Sequence, residues 1–146
     1  MKLRTYSFPL AATLDSLAPL GAALQEFFSG APPDVLFQLE LAANESFSNI
    51  VRHGQAGAYP VAITLTRHPR HLEVVLRDRG QPIPAEALRP TAPDPQMDDP
   101  CSWPEHGMGM LLIRQMTDEY HYRYSAGGNE QRLIKYLPLG GGTCAP

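Results

Sequence analysis

Apolar residues recur at helical spacing through LFQLELAANESFSNIVRHG, residues 36–54, a run with no proline that closes on Gly54, a helix-stopping residue. At about 100° per residue, Leu36, Leu39, Ala43, Phe47, Ile50 and Val51 share one arc, with Glu40 inside it. Glu45, Asn49 and Arg52 point the other way, and His53 lies near the margin. Asp34, following two prolines, opens this central helix. Ahead of it, Lys2 to Pro9 alternates and predicts an edge strand. Thr13 or Asp15 then caps a helix from Leu14 to Phe28, which Gly30-Ala31-Pro32-Pro33 ends. Beyond the central helix, Tyr59 to Thr66 and His71 to Arg77 alternate about a His68-Pro69-Arg70 turn, the pattern of an antiparallel hairpin. A helix starting among the glycines after His106 runs to about Glu119. Strands at Tyr120 to Ser125 and Glu130 to Leu137 follow, joined at Gly127-Gly128-Asn129. Ile83 to Pro104 holds six prolines and four acidic residues, so it sustains neither a regular helix nor a central strand. A stretch of that length inside a compact domain reads as a lid, with Trp103 as its anchor. Pro138 to Pro146 reads as a flexible tail.

Composition narrows the class. A chain of 146 residues, 43% hydrophobic and 18% charged, fits one folded domain with its own core. A net charge of −3 without a run of Lys or Arg argues against nucleic acid as the partner. Cys101 and Cys144 lack metal-ligand spacing and make no disulfide framework. No apolar run is long enough for a membrane helix, and MKLRTYSFPL lacks a signal-peptide core. The expected location is the cytoplasm.

Three stretches could carry chemistry. Glu45 and Asn49, four apart, stack a carboxylate and a carboxamide on neighbouring turns of one helix face. Such a pair can hold a hydrated divalent cation or take a proton from a hydroxyl; the same spacing also describes a solvated face. Asp78-Arg79-Gly80 ends a strand with a carboxylate and a glycine, either a ligand pocket or a plain turn. His106-Gly107-Met108-Gly109 opens a helix, where free backbone N–H groups and the helix dipole attract phosphate, although many loops carry such a glycine pair. His53 reads as a packed or hydrogen-bonded histidine rather than a catalytic one. Tyr120, Tyr122 and Tyr124 share a strand face suited to a partner or to ordinary sheet packing.

The order of these pieces resembles the GHKL ATP-binding fold shared by gyrase, heat-shock chaperones, histidine kinases and mismatch-repair ATPases. NESFSNIVRHG, RDRGQPIP, HGMGMLLIRQMTDEYHY and GGNEQRLIKY are similar to the boxes of the anti-sigma-factor serine/threonine kinases, over roughly Leu36 to Leu137. The resemblance implies an α+β two-layer sandwich, the GHKL (Bergerat) fold, with a mixed, mainly antiparallel sheet covered on one face by helices. Residues 1–137 would form a single domain with its lid at about 83–105, leaving 138–146 as the tail. It further implies ATP and Mg²⁺ as cofactors. Asn49 would hold the Mg²⁺ that bridges the phosphates, and Glu45 would be the general base for a substrate serine. Asp78 would accept the adenine amino group, Gly80 would let the base approach, and Gly107, Met108 and Gly109 would line the phosphates. The implied partners are a STAS-type anti-sigma antagonist and a sigma factor, with homodimers usual and neither nucleic acid nor membrane involved. The chain departs from many relatives at Glu105-His106, where Arg is common. The lid has Arg89 but no Lys, and the final hairpin has Asn129-Glu130-Gln131 where many relatives place Thr near the adenine. Two functions remain. One is an ATP-dependent kinase, favoured by the Glu45–Asn49 pair. The other is a non-catalytic partner-switching module with nucleotide as a structural ligand or absent, favoured by the lid.

Overall fold

Period-two alternation along five short runs builds one sheet, and the helical runs lie across one of its faces. The computed structural model describes residues 2–54, 59–88 and 108–139. Its strands are β1 (Arg4–Leu10), β2 (Val61–Arg67), β3 (His71–Asp78), β4 (Glu119–Ser125) and β5 (Gly128–Tyr136), in the order β1-β2-β3-β5-β4. The mainly antiparallel expectation holds in a stricter form, since every one of the four pairings is antiparallel. β1 sits at an edge, as its sequence predicts. The helices are α1 (Leu17–Phe27), α2 (Pro33–His53), α3 (Ala85–Leu88) and α4 (Met108–Met116). Together these elements form the α+β arrangement, a sheet covered on one face by helices, that the resemblance implies.

The core lies between the helices and one sheet face. Leu20, Leu24, Leu39, Phe47 and Ile113 meet Ile63, Leu65, Leu72, Leu76 and Leu133, all fully buried. Glu40, placed by periodicity inside the apolar arc of α2, has its carboxylate against α1. There Gln25 Nε2 donates to it at 3.2 Å and Gly21 leaves room for its oxygen. The other sheet face is polar, with Glu130 held by Arg77 at 2.9 Å and Glu73 by Arg132 at 3.5 Å. Burial pushes the Glu130 carboxyl up, but the Arg77 hydrogen bond and the charges of Arg77, Arg123 and Arg132 bring it net below its ordinary value. No helix among the described residues is long and apolar enough to cross a membrane.

Several boundaries differ from those the sequence predicts, each for a local reason. The first helix does not begin at Leu14 under a Thr13 or Asp15 cap. Leu14–Ser16 is a 3₁₀ turn, Thr13 makes no side-chain cap bond, and Ser16 Oγ instead donates to the Ala11 carbonyl at 2.7 Å. Pro19 tolerates only the first turn of an α-helix, so α1 starts at Leu17. α4 stops at Met116 rather than near Glu119. Thr117 Oγ1 donates to the Ile113 carbonyl at 2.8 Å, and the Asp118 N–H is taken by the Ile134 carbonyl of β5 at 2.8 Å. Within the expected lid, residues 85–88 form a helical turn, α3, whose Leu88 carbonyl accepts from Arg114. The remainder of the lid, Trp103 included, and the tail beyond Leu139 lie outside the described residues.

The last hairpin turns at Ala126-Gly127, not at Gly127-Gly128-Asn129. Gly128 pairs with Ser125 and Asn129 with Tyr124, placing Asn129 inside the strand. Both turn residues have positive φ, 52° at Ala126 and 76° at Gly127, the handedness that matches strand twist in two-residue hairpins. Alanine is strained there, whereas asparagine tolerates it. Ala126→Asn is therefore expected to stabilise the protein by roughly 0.5–1 kcal/mol, read as a melting temperature higher by about 2–4 °C.

Candidate functional site

α2 supplies the first wall. Ser46, Phe47 and Ile50 are buried in the core, which leaves Glu45 and Asn49 half-buried on an adjoining face, one turn apart. Their oxygens are hard donors of the kind Mg²⁺ accepts, so the residue types fit that ion. Arg52 and His53 follow, exposed, in the last turn.

The turn after β3 supplies the second wall, and α2 ends against it. Gly54 N–H closes the helix on the Ile50 carbonyl at 2.9 Å, and the Gly54 carbonyl then accepts from Gln81 N–H at 2.5 Å. Gly54 itself has φ −77°, so it ends the helix without the left-handed conformation that often selects glycine. A Cβ on Gly54 would still stand 2.6 Å from the Ile50 carbonyl oxygen, and a tighter backbone contact asks for glycine at Gly80. A Cβ there would come closer than 3.0 Å to the Gly54 carbonyl oxygen and would also crowd Asp78 Oδ1. Gly80 thus has a packing reason to be glycine, separate from any approach of a ligand.

Asp78, the last residue of β3, faces the helix side of the sheet and is only 4% exposed. Its Oδ1 accepts from Gly80 N–H at 2.8 Å and from Asn129 Nδ2 at 3.0 Å. No hydrogen bond to its Oδ2 occurs among the described residues. Asn129, the register partner of Asp78 on β5, is equally buried. Besides Asp78, its amide reaches the Gly80 carbonyl at 3.2 Å and the Gln81 carbonyl at 3.0 Å. Tyr122 on β4 completes the network. Its hydroxyl donates to Asn129 Oδ1 and accepts from Ile83 N–H at 2.9 Å. Burial raises the Tyr122 phenol above its ordinary value, with the Ile83 bond opposing, so the hydroxyl keeps the proton it donates. Asn129 and Tyr122 therefore hold the whole 78–83 turn in shape and leave one oxygen of Asp78 for a ligand donor.

α4 packs against α2 through the shared core, with Met110 and Ile113 buried. Met108 and Gly109 open this helix; Gly107 lies outside the described residues. The structure thus joins the end of α2 directly to the Asp78 turn and sets α4 beside α2.

Residues 10–135 match the family described as Histidine kinase-like ATPase domain. The chain belongs to that family. Its fold is similar to the crystal structure of the RsbU and RsbW domains of Rv1364c from Mycobacterium tuberculosis, at a TM-score of 0.67 and 19% identity over 92% of this chain. The alignment covers 32% of the solved chain, so this protein spans about a third of that one. Comparison with curated proteins gives no match.

For a histidine kinase-like ATPase domain, the residues that sequence reasoning passed over are Asn129 and Tyr122. By sequence Asn129 reads as part of the Gly127-Gly128-Asn129 turn. Its signal was the alternation Asn129, Gln131, Leu133, which places all three on the core side of β5. By sequence the Tyr122 face suits either a partner surface or sheet packing. The structure puts Tyr120 and Tyr122 into packing and hydrogen bonds, Tyr120 donating to Gln131 Oε1 at 2.8 Å.

Proposed function

We propose that this chain is an ATP-binding serine/threonine protein kinase of the anti-sigma-factor type, acting on a serine or threonine of a STAS-type antagonist and controlling a sigma factor by partner switching. The observation that carries the reading is Asp78, a buried carboxylate with one oxygen tied into the turn and the other without a partner among the described residues. That is the acceptor an adenine amino group needs. Asn49 would hold Mg²⁺, which when bound neutralises phosphate charge and orients the terminal phosphoryl group. Glu45, one turn away on α2, would take the proton of the attacking hydroxyl. Gly107, Met108 and Gly109 would meet the phosphates at the start of α4. Residues 1–137 would act as one domain, with 83–105 as its lid, in a homodimer.

Asp78→Asn tests the nucleotide half of this reading. Asparagine keeps an oxygen for Gly80 N–H and Asn129, so the turn survives, but it turns the other acceptor into a donor facing a donor. Affinity for Mg-ATP measured by calorimetry should fall about 10–100-fold, the loss of one charge-assisted hydrogen bond, with unchanged circular dichroism. Undiminished affinity would remove Asp78 from adenine recognition. Transfer is tested by mixing the protein, labelled Mg-ATP and a candidate STAS protein.

The second reading, a non-catalytic partner-switching module, is favoured by the 83–105 stretch, which has Arg89 as its one basic residue and no Lys to meet the γ-phosphate. Nucleotide binding without transfer to any STAS candidate would select it.

A further inference from the structure

A second group of chemistry-bearing residues lies at the end of β3 opposite Asp78, on the sheet face away from the helices. His68 and His71 form the last pair of the β2–β3 hairpin, closed by His68 N–H donating to the His71 carbonyl at 2.9 Å. The register pairs Thr66 with Glu73, which puts Glu73 diagonally across from His68 on the same face. The two imidazoles stack with centroids 3.9 Å apart and an interplanar angle of 24°. One donor atom from each of His68, His71 and Glu73 lies within 4.8 Å of the others. We propose that these three residues form a divalent transition-metal site, with Zn²⁺ as the ion that fits best.

The donor set decides the ion class. Two imidazole nitrogens and one carboxylate oxygen suit Zn²⁺, whereas Mg²⁺ and Ca²⁺ prefer oxygen alone. Three protein ligands leave a fourth position for water. The backbone beneath the site is fixed on both sides: beyond the hairpin bond, Leu137 N–H donates to the Arg70 carbonyl at 2.8 Å and ties the turn to the end of β5. Little chain entropy is left to lose when an ion binds. Glu73 is steadied by Arg132 at 3.5 Å, and Arg132 also lies 3.8 Å from Glu130, which can retain it when Glu73 turns to the metal. Glu119 adds a second negative charge within range of His71. β3 is eight residues long, which separates this site from Asp78 by roughly 23 Å. An ion here acts on the sheet, independently of what Asp78 binds.

The test is a Zn²⁺ titration by calorimetry, with Co²⁺ absorbance reporting coordination, on untagged protein in a Cys101→Ser, Cys144→Ser background without nucleotide or Mg²⁺. The expected result is one ion per chain. Affinity should fall at least about tenfold in His68→Ala, His71→Ala and Glu73→Gln, and hold in His53→Ala and His121→Ala. Arg132→Gln should tighten binding, because it removes a cation beside the ligand carboxylate. Thermal unfolding with and without Zn²⁺ covers any disturbance of the hairpin by the variants. The parent should gain melting temperature on adding Zn²⁺ while the three ligand variants gain none. No binding at a large excess of ion, or equal losses in His53→Ala and His68→Ala, would overturn the site.

Discussion

A Glu45→Gln protein is expected to bind Mg-ATP as the parent does and, under the proposed kinase function, to transfer phosphate to a STAS-type protein about 10²–10⁴ times more slowly, the usual contribution of a positioned general base. The two properties separate because they rest on different residues. Glutamine matches glutamate in size and helix preference, and Glu45 is half-buried on α2 outside the hydrogen-bond network around Asp78. What the change removes is the capacity to accept a proton at that point on the helix. Asn49→Ala would act differently, because it takes away the oxygen assigned to Mg²⁺ and should weaken nucleotide binding along with transfer. Parallel measurement of binding by calorimetry and of transfer with labelled ATP distinguishes these patterns. Transfer by Glu45→Gln at the parent's rate would leave Glu45 as a solvated helix residue. A parent that binds but never transfers would instead place the chain with the non-catalytic modules.

The elements were legible where one physical rule acted alone. α2 follows from 3.6-residue periodicity and the hairpin β2–β3 from alternation about a proline-bearing turn, and both appear where those rules put them. The boundaries that moved did so where a long-range contact competed with local preference. Asp118 is drawn out of the helical pattern by a carbonyl of β5, a partner 16 residues further along the chain. The site was legible to a similar depth. Asp78 and Gly80 stand out as a strand end followed by a glycine, but the reason for the glycine does not. It comes from the Gly54 carbonyl, 26 residues earlier, and no local window contains both. Asn129 is obscured in the same way, since its partners Asp78, Gly80 and Gln81 lie at the end of β3 and in the turn after it, about 50 residues earlier in the chain.

That long-range dependence makes Gly80→Ala the most destabilising single methyl group to add among the glycines the structure describes in the candidate site. The new Cβ would stand inside contact distance of a backbone carbonyl oxygen, and backbone cannot swing aside as a side-chain tip can. The carbonyl is itself bonded to Gln81 N–H, so relieving the clash means breaking the junction between α2 and the turn. The same shift would loosen Asp78 Oδ1, which accepts from the Gly80 N–H, and the two carbonyls that hold Asn129. Overpacking with loss of buried hydrogen bonds is expected to lower stability by roughly 3 kcal/mol, a fall in melting temperature of about 10 °C for a chain of this size. Gly21→Ala is the control: its Cβ would press on the flexible end of Glu40, exposed enough to move, and the change should stay within about 1 kcal/mol of the parent. If both variants unfold together with the parent, the α2–turn junction gives way easily. Gly80 would then owe its identity to a bound ligand rather than to the fold, and nucleotide affinity in the folded Gly80→Ala protein would be the quantity that drops.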